Sequence, residues 1–480
     1  MSSSERRPYR FGPRDARGLL LGVRPGQAGI VVVTAVLAVI LLRTAGGSAR
    51  LLVVGVELVV GTAGALVPVR GRTIDEWAPV ALSFAASTVT GRRREATALP
   101  HVQMPRRASA FAAFDLHATG DDAHPIGVIS DRRHGTETGL LAVRGQSFAL
   151  FDDAERDREV AGWASVLSAV GSSSLAPYRV QWIERTVPDR RQALRDRVSA
   201  LLESAVDEGS DTPAAHRARA SYAALVETQS IASLCHEVVI AITVRPRRSR
   251  PTSSADDRGT DGDPLVAALS SLEERLWGAG IDVVGALTPD GLASYLDRTF
   301  RDRTLPARSL SPWPTACETN WGSFRTDALL HVTYWIAEWP RSEVDSEFLL
   351  PLLHDTGGRR TISLVMEPLR ASKAARRAEH ARTSARADSE IRSRHGFSQT
   401  ARTSRQHDAV IRREEELASG HSGYRFSGYV TVSAPDTRSL EHSCARIEQA
   451  AALARLELRR LFGSQDHAFS CVLPVGRGCG

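Results

Sequence analysis

The sequence is almost without lysine: of its 61 basic side chains, Lys373 alone is not arginine. That lysine follows no glycine-rich turn, and no Gly-x-x-x-x-Gly-Lys-[Ser/Thr] loop occurs anywhere. The backbone N–H cradle and ammonium that hold nucleotide phosphates are therefore not combined, and ATP hydrolysis by this chain alone is not expected. A Gly-x-Ser-x-Gly elbow for a serine nucleophile is also missing. Gly420-His421-Ser422-Gly423 comes nearest, and it reads as a helix stop. The five cysteines (Cys235, Cys317, Cys444, Cys471, Cys479) form no Cys-x-x-Cys pair, and no His-Glu-x-x-His pair exists. Neither a disulfide framework nor a structural zinc is expected. Cys235-His236 falls at what reads as a helix end, where neighbouring side chains point apart, so a core cysteine is the simpler reading. A hydrolase built from dispersed residues such as His354 and Asp355 has no supporting spacing. The chain reads as non-enzymatic, with no cofactor and no metal.

What the sequence does have is length, apolar runs and an uneven charge. Its 480 residues suffice for two or three packed cores, and a hydrophobic share of 42% is ordinary for a folded protein. Gly26 to Leu42 is almost unbroken apolar sequence, and a second run spans Leu51 to Val69. At about 1.5 Å per helical residue each is short but sufficient for a hydrocarbon core of about 30 Å. Residues 1–24 carry six arginines against Glu5 and Asp15, and residues 70–107 carry seven arginines against Asp75, Glu76 and Glu95. Between the runs lie only Arg43 and Arg50, so the positive-inside tendency places both ends in the cytoplasm. Residues 108–480 sum to a net charge of −3. The basic excess thus flanks the apolar runs, where anionic lipid attracts it, rather than marking a nucleic-acid-binding body. Direct nucleic-acid binding through an arginine-rich arm at 371–418 is an open, lesser reading, whose signature would be steep loss of affinity with salt.

Within the second run sits Glu57. An ionisable residue at membrane depth faces protein or water, so Glu57 is the candidate contact inside the membrane; snorkelling to the outer surface, towards Arg50, is the other reading. Trp77 to Val89 is mildly apolar and ends at Arg92, Arg93 and Arg94. It reads either as an interfacial helix with those arginines at the lipid or as a surface helix of the body. A cleaved signal peptide ending near Gly47-Ser48-Ala49 is disfavoured by the second run immediately behind it.

The remainder alternates strand and helix signals, predicting an α+β protein: an N-terminal transmembrane helical hairpin, two mixed β-α subdomains and no P-loop motor domain. The expected divisions are a cytoplasmic basic N-terminus at 1–25, the hairpin at 26–69 and a juxtamembrane segment at 70–107. A first α+β region follows at 108–300, with a disordered loop at 246–264, and a second at 301–480. Strands are expected at 127–130, 139–144, 147–152, 178–187, 238–244, 281–287, 328–338, 361–369, 425–432 and 469–473. The segment 371–418 carries eleven basic and seven acidic residues with few large apolar ones, and reads as a protruding helical hairpin interrupted at Gly396. A long helix at 438–462 and a loose tail at Gly476-Arg477-Gly478-Cys479-Gly480 complete the expectation.

The order of segments resembles a known family. Tyr178–Pro188 (YRVQWIERTVP), Ser221–Val244 with HEVVIAITV, Thr333–Pro340 (TYWIAEWP), Phe348–Leu353, Thr361–Leu369, Glu414–His421 (EEELASGH), Gly428–Ser433 (GYVTVS) and Phe469–Gly476 (FSCVLPVG) follow one another. So arranged, they resemble the non-motor N-terminal half of the CagE/TrbE/VirB-type ATPases of type IV secretion. In that family the last of these leads as a strand into the P-loop motor, whose residues have no counterpart here. The hairpin, preceded by Tyr9-Arg10-Phe11-Gly12-Pro13, is similar to the PrgI-type membrane subunits of conjugation systems. The resemblance implies an actinobacterial conjugation-locus membrane protein: a scaffold in the cell membrane, part of an oligomeric assembly. Its implied partners are a separate P-loop ATPase, other secretion-channel membrane subunits and anionic lipid. An EccE-like component of a type VII secretion system, which also places a soluble domain after two helices, is the alternative.

Overall fold

The computed structural model describes residues 9, 11, 25–44, 49–67, 71–91, 93–96, 111–121, 123–145, 150–173, 177–188, 212–214, 217–218, 220–221, 224, 234–246, 263–301, 312–314, 316–354, 358–394 and 401–478. Arg92, Asp355, most of the expected loop at 246–264 and of the expected helices between 190 and 233, and the final Cys479-Gly480 lie outside them.

Three helices come first: α1 Pro25–Thr44, α2 Ala49–Leu66 and α3 Ile74–Val89. The body follows as β1 Arg94–Ala96, β2 Phe114–Thr119, β3 Ile126–Asp131, β4 Thr136–Val143, α4 Asp153–Ser172, β5 Arg179–Pro188, β6 Leu234–Val244, α5 Pro264–Gly278, β7 Val283–Ala286 and α6 Pro289–Phe300. The chain continues through β8 Ala316–Thr319, β9 Phe324–Arg325, β10 Leu330–Glu338, α7 Leu350–Leu353, β11 Arg359–Pro368, α8 Ala371–Arg394, α9 Ala401–Ala418, β12 Tyr424–Ala434, α10 Thr437–Leu453, β13 Glu457–Arg460 and α11 Gln465–Ser470. The protein is thus mixed α+β, with an N-terminal apolar helix and one large antiparallel sheet.

The sheet is assembled twice on one plan. In the first set the β2-β3-β4 meander is followed by β5, β6 and β7; β6 lies between β4 and β5, and β7 shares with β3 the outer side of β4. In the second set the β8-β9-β10 meander is followed by β11, β12 and β13; β12 lies between β10 and β11, and β13 shares with β9 the outer side of β10. Each is a split β-α-β arrangement. The two sets pair with each other through β5 and β11, from Arg360↔Thr186 to Met366↔Val180, so the two expected groups of elements share a single thirteen-stranded sheet. That pairing leaves neither strand with an open edge. One face is covered by α4 and α5 over the first set and by α7 and α10 over the second. The other is covered by α6, α11 and the segment Cys471–Gly478, which spans the junction of the sets.

Local signals explain most boundaries. Asp152 and Glu155 form a reciprocal capping box at the start of α4. Asp263 and Thr288 cap α5 and α6 just before Pro264 and Pro289. Five expectations are corrected. Of the strand expected at 147–152, residues 147–149 lie outside the described residues, and 150–152 are not strand but the turn that delivers the α4 cap. Cys235-His236 lies within β6, not at a helix end, so the two side chains alternate across the sheet. The helix expected at 438–462 ends at Leu453, where Arg455 takes a left-handed φ of 56° and the chain turns back into β13. Phe469–Leu473 is not a strand but the end of α11 and the start of a largely buried, turning strap, and Gly476–Gly478 is bound tightly to the sheet instead of trailing free.

Candidate functional site

α1 is long and apolar enough to cross a membrane, and α2 carries a shorter apolar stretch, Leu51–Ala65. The two helices pack antiparallel. Near the ends, Gln27 Nε2 donates to the Ala65 carbonyl at 3.1 Å; halfway along, the missing side chain of Gly61 admits Thr34. Val54 and Ala65 are buried and Glu57 and Gly61 half-buried along one side of α2, a spacing of three and four residues, with Gly61 against Thr34 of α1; Thr34 and Ala38 are the buried residues of α1, and Gly64 abuts Ile74 of α3. Glu57 therefore sits in the seam between the helices, with one carboxylate oxygen buried and without a hydrogen-bond partner among the described residues. The outward faces are apolar and exposed, among them Val32, Val36, Ile40, Leu52, Val56 and Val59.

Both flanks of this pair are fixed to the body. Before α1, Tyr9 pairs with Val344 through backbone hydrogen bonds of 2.8 and 3.1 Å, and Phe11 stacks on Trp339 with centroids 5.0 Å apart. After α2, Trp77 stacks on Trp321 at 5.8 Å, and Phe84 meets the same indole edge-on at 4.9 Å. Residues 77, 80, 84 and 87 are the half-buried face of α3, while Ala78, Leu82, Ala85 and Val89 form an exposed apolar face. Both readings of this helix thus find a face: one turned to the body, the other apolar and open. Arg93 turns inward. It lies over the Phe84 ring at 4.5 Å, and its Nε and Nη2 donate to the Thr319 carbonyl and Asn320. Arg94 is exposed and pairs with Glu318 at 2.8 Å. Arg72, Trp321, Arg459 and Phe462 complete this junction, and none of them stands out in the sequence. Arginines before an apolar run were a legible signal, but their partners on β13 were not.

Polar side chains also gather where β5 meets β6 and β11. On one face buried Glu184 accepts from the Thr186 hydroxyl, lies 2.7 Å from His236 Nδ1 and pairs with buried Arg360, which also donates to Thr186 and to the Leu353 carbonyl. On the opposite face Arg185 is held by Glu237, by the Tyr295 carbonyl and by Thr299. A third set fixes the strap. Gln181, fully buried, donates from Nε2 to the Cys471 and Leu473 carbonyls and accepts from Gly476 N–H, while Arg477 pairs with buried Asp131 at 2.8 Å. Burial alone would raise the Asp131 carboxyl, but hydrogen bonds from Arg477 and His134 outweigh it and hold the group below the usual carboxylate range. These arrangements can fix one set of strands to the other. Among the described residues no group of three His, Cys, Asp or Glu side chains is placed to hold a metal ion. His354 terminates α7, outside any such cluster.

His331 is buried between the Thr326 hydroxyl at 2.9 Å and the Ser433 hydroxyl at 2.8 Å. Burial, reinforced by Arg359, pushes its pKa down to about 3. Because the native ring resists a proton that the unfolded chain accepts below about pH 6.5, stability is full at neutral pH. It falls as pH drops from there towards 3. We expect His331→Gln to remove about one proton, or about 1.4 kcal/mol per pH unit, from the slope of unfolding free energy between pH 4 and 6. Denaturant melts across that range would show it, and parallel slopes for the two proteins would contradict the assignment.

No protein-family model matches this chain, and no curated protein matches it in sequence.

Proposed function

We propose that the protein is a membrane-anchored, non-enzymatic scaffold subunit of a type IV secretion-like transfer apparatus, on which a separate P-loop ATPase docks. The observation that carries the anchoring is the attachment of both flanks of the apolar pair to one body. A chain held there at Tyr9 and Phe11, and again at Trp77 and Arg93, leaves and returns to the same side, so α1 and α2 act as a transmembrane hairpin with both ends in the cytoplasm. The hydrophobic outer faces of both helices, and the basic excess beside them, support that orientation. The role in transfer rests on the ordered resemblance to the non-motor half of the secretion ATPases. The pair α8–α9 adds a projecting arm, strapped by Arg382–Glu414, on which a partner can seat.

A small tag inserted between Thr44 and Ala49 should be labelled from outside intact cells, while an N-terminal tag should be labelled only after lysis. Equal labelling of both would reject the hairpin. For the assembly, a C-terminally tagged chain gently solubilised from native membranes should bring down a stoichiometric P-loop ATPase together with other secretion subunits. Charge reversal at Arg382 and Arg386 tests the arm in the same preparation, with loss of the ATPase as the expected result. Type VII core subunits in the eluate would replace the type IV reading, and a solitary chain would overturn both.

A further inference from the structure

The chain leaves α2 and meets β13 at an unusual pairing of like charges. Arg459, on β13, lies directly on the backbone of Gly71: an ideal Cβ built there would come within 2.8 Å of Arg459 Nε and 2.9 Å of its Cζ. Gly71 has a φ of 76°, so glycine serves both the turn and this close approach. The next residue, Arg72, sits over the Trp77 ring at 5.3 Å and close enough to Arg459 to feel its charge. Both guanidiniums are poorly satisfied. Arg72 Nη1 and Arg459 Nε are each buried with no hydrogen-bond partner among the described residues, and Arg459 is only 11% exposed.

The carboxylates at hand do not account for this. Asp75 accepts from the Thr73 hydroxyl, and Glu457 takes Arg459 Nη2 at 3.1 Å while remaining half exposed. Glu76 offsets part of the Arg72 charge. Two neighbouring planar forks, each with an N–H group lacking an acceptor, suit a compact anion with several oxygens, such as a phosphate, which can take donors from both at once. The place is equally informative. The start of α1 is beside the start of α3, where the ideal Cβ of Gly26 would lie 2.7 Å from Asp75 Oδ2, and Gly71 follows closely on the end of α2. If α1 and α2 cross the bilayer, this convergence lies at headgroup depth.

We propose that Arg72 and Arg459 form a binding site for a phosphate group, supplied by an anionic phospholipid of the inner leaflet; the phosphate site rests on the side chains, and only the lipid source rests on the anchoring reading. The test uses the full chain in neutral detergent, titrated separately with phosphatidylglycerol, phosphatidylcholine and inorganic phosphate, while thermal unfolding and tryptophan emission are followed. Phosphatidylglycerol should raise the melting temperature and alter emission at concentrations where phosphatidylcholine does not. R72Q and R459Q should weaken that response by about ten-fold, whereas R144Q, at an exposed arginine of the body paired with Asp282, should leave it intact. R459K, which keeps charge but loses the fork, should fall between and guards against a folding defect in R459Q. A saturating response to inorganic phosphate, equally lost in R72Q, would keep the site and overturn the lipid source. An unchanged phosphatidylglycerol response in both glutamine variants, provided they melt as the unaltered chain does, would overturn the site. Extraction of the chain from membranes by alkaline carbonate would defeat the anchor separately, without touching the phosphate result.

Discussion

Replacing Arg360 with alanine is expected to destabilise the body by about 3–5 kcal/mol, the range seen when one partner of a buried ion pair is removed. Arg360 is 1% exposed and belongs to β11, while Glu184, at 2%, belongs to β5, so their cluster joins the two sets of strands. The loss would strand a carboxylate whose Oε2 already has no hydrogen-bond partner among the described residues, leaving it the contacts to His236 and the Thr186 hydroxyl. Burial by itself drives the Arg360 guanidinium below its usual range, and Glu184 acts to restore it, which is why the two depend on each other. Changing both, as Glu184→Leu with Arg360→Met, should recover most of the deficit, because the desolvation cost disappears with the pair. A double-mutant cycle by denaturant melts tests this. Additive costs would show that the two side chains act independently and that the junction is held by backbone pairing alone.

The second large effect is expected from Gln181→Leu. Its volume is similar, but the Gly476 N–H and the Leu473 carbonyl would lose their side-chain partner, and buried groups left so cost about 1–3 kcal/mol each. Ser363 still donates to the Cys471 carbonyl, so the strap should loosen from its C-terminal part first. Hydrogen exchange should report this as lost protection at Gly476 while Phe469 in α11 stays protected. Gly476→Ala should act in the same direction. The residue has a φ of 62°, and an added Cβ would run into the Thr243 hydroxyl. If both variants melt like the unaltered protein, with Gly476 exchange unchanged, the strap contributes nothing to holding the sheet.

Much of the body was legible because its signals are local. The alternation in Tyr178–Val187 marks a strand, the charged and apolar-poor composition of 371–418 marks a helical arm, and Asp152, Asp263 and Thr288 announce helices. Glu57 stood out from sequence because one charge in an apolar run is conspicuous. Its direction could also have been read, since Val54, Glu57, Gly61 and Ala65 recur at helical spacing. The misread segments lack such periodicity. In 469–478 the apolar residues Val472, Leu473 and Val475 are buried by a strap rather than a ladder, and local pattern does not separate those two forms of burial.

What the sequence by itself determined about this protein is its inventory. It has an apolar pair of runs between basic flanks, two successive α+β sets, an arginine-rich arm and no nucleotide-cradling loop. The tertiary structure alone decided which strands meet. It paired β5 with β11, set Glu184 against Arg360, carried Arg93 inward to Thr319, and brought Arg459 onto Gly71. The division has a physical cause. Side-chain periodicity is set by the geometry of a single helix or strand and is written in neighbouring residues. Partner choice is set by burying edges and compensating charges between segments far apart in the chain, and no local pattern encodes it.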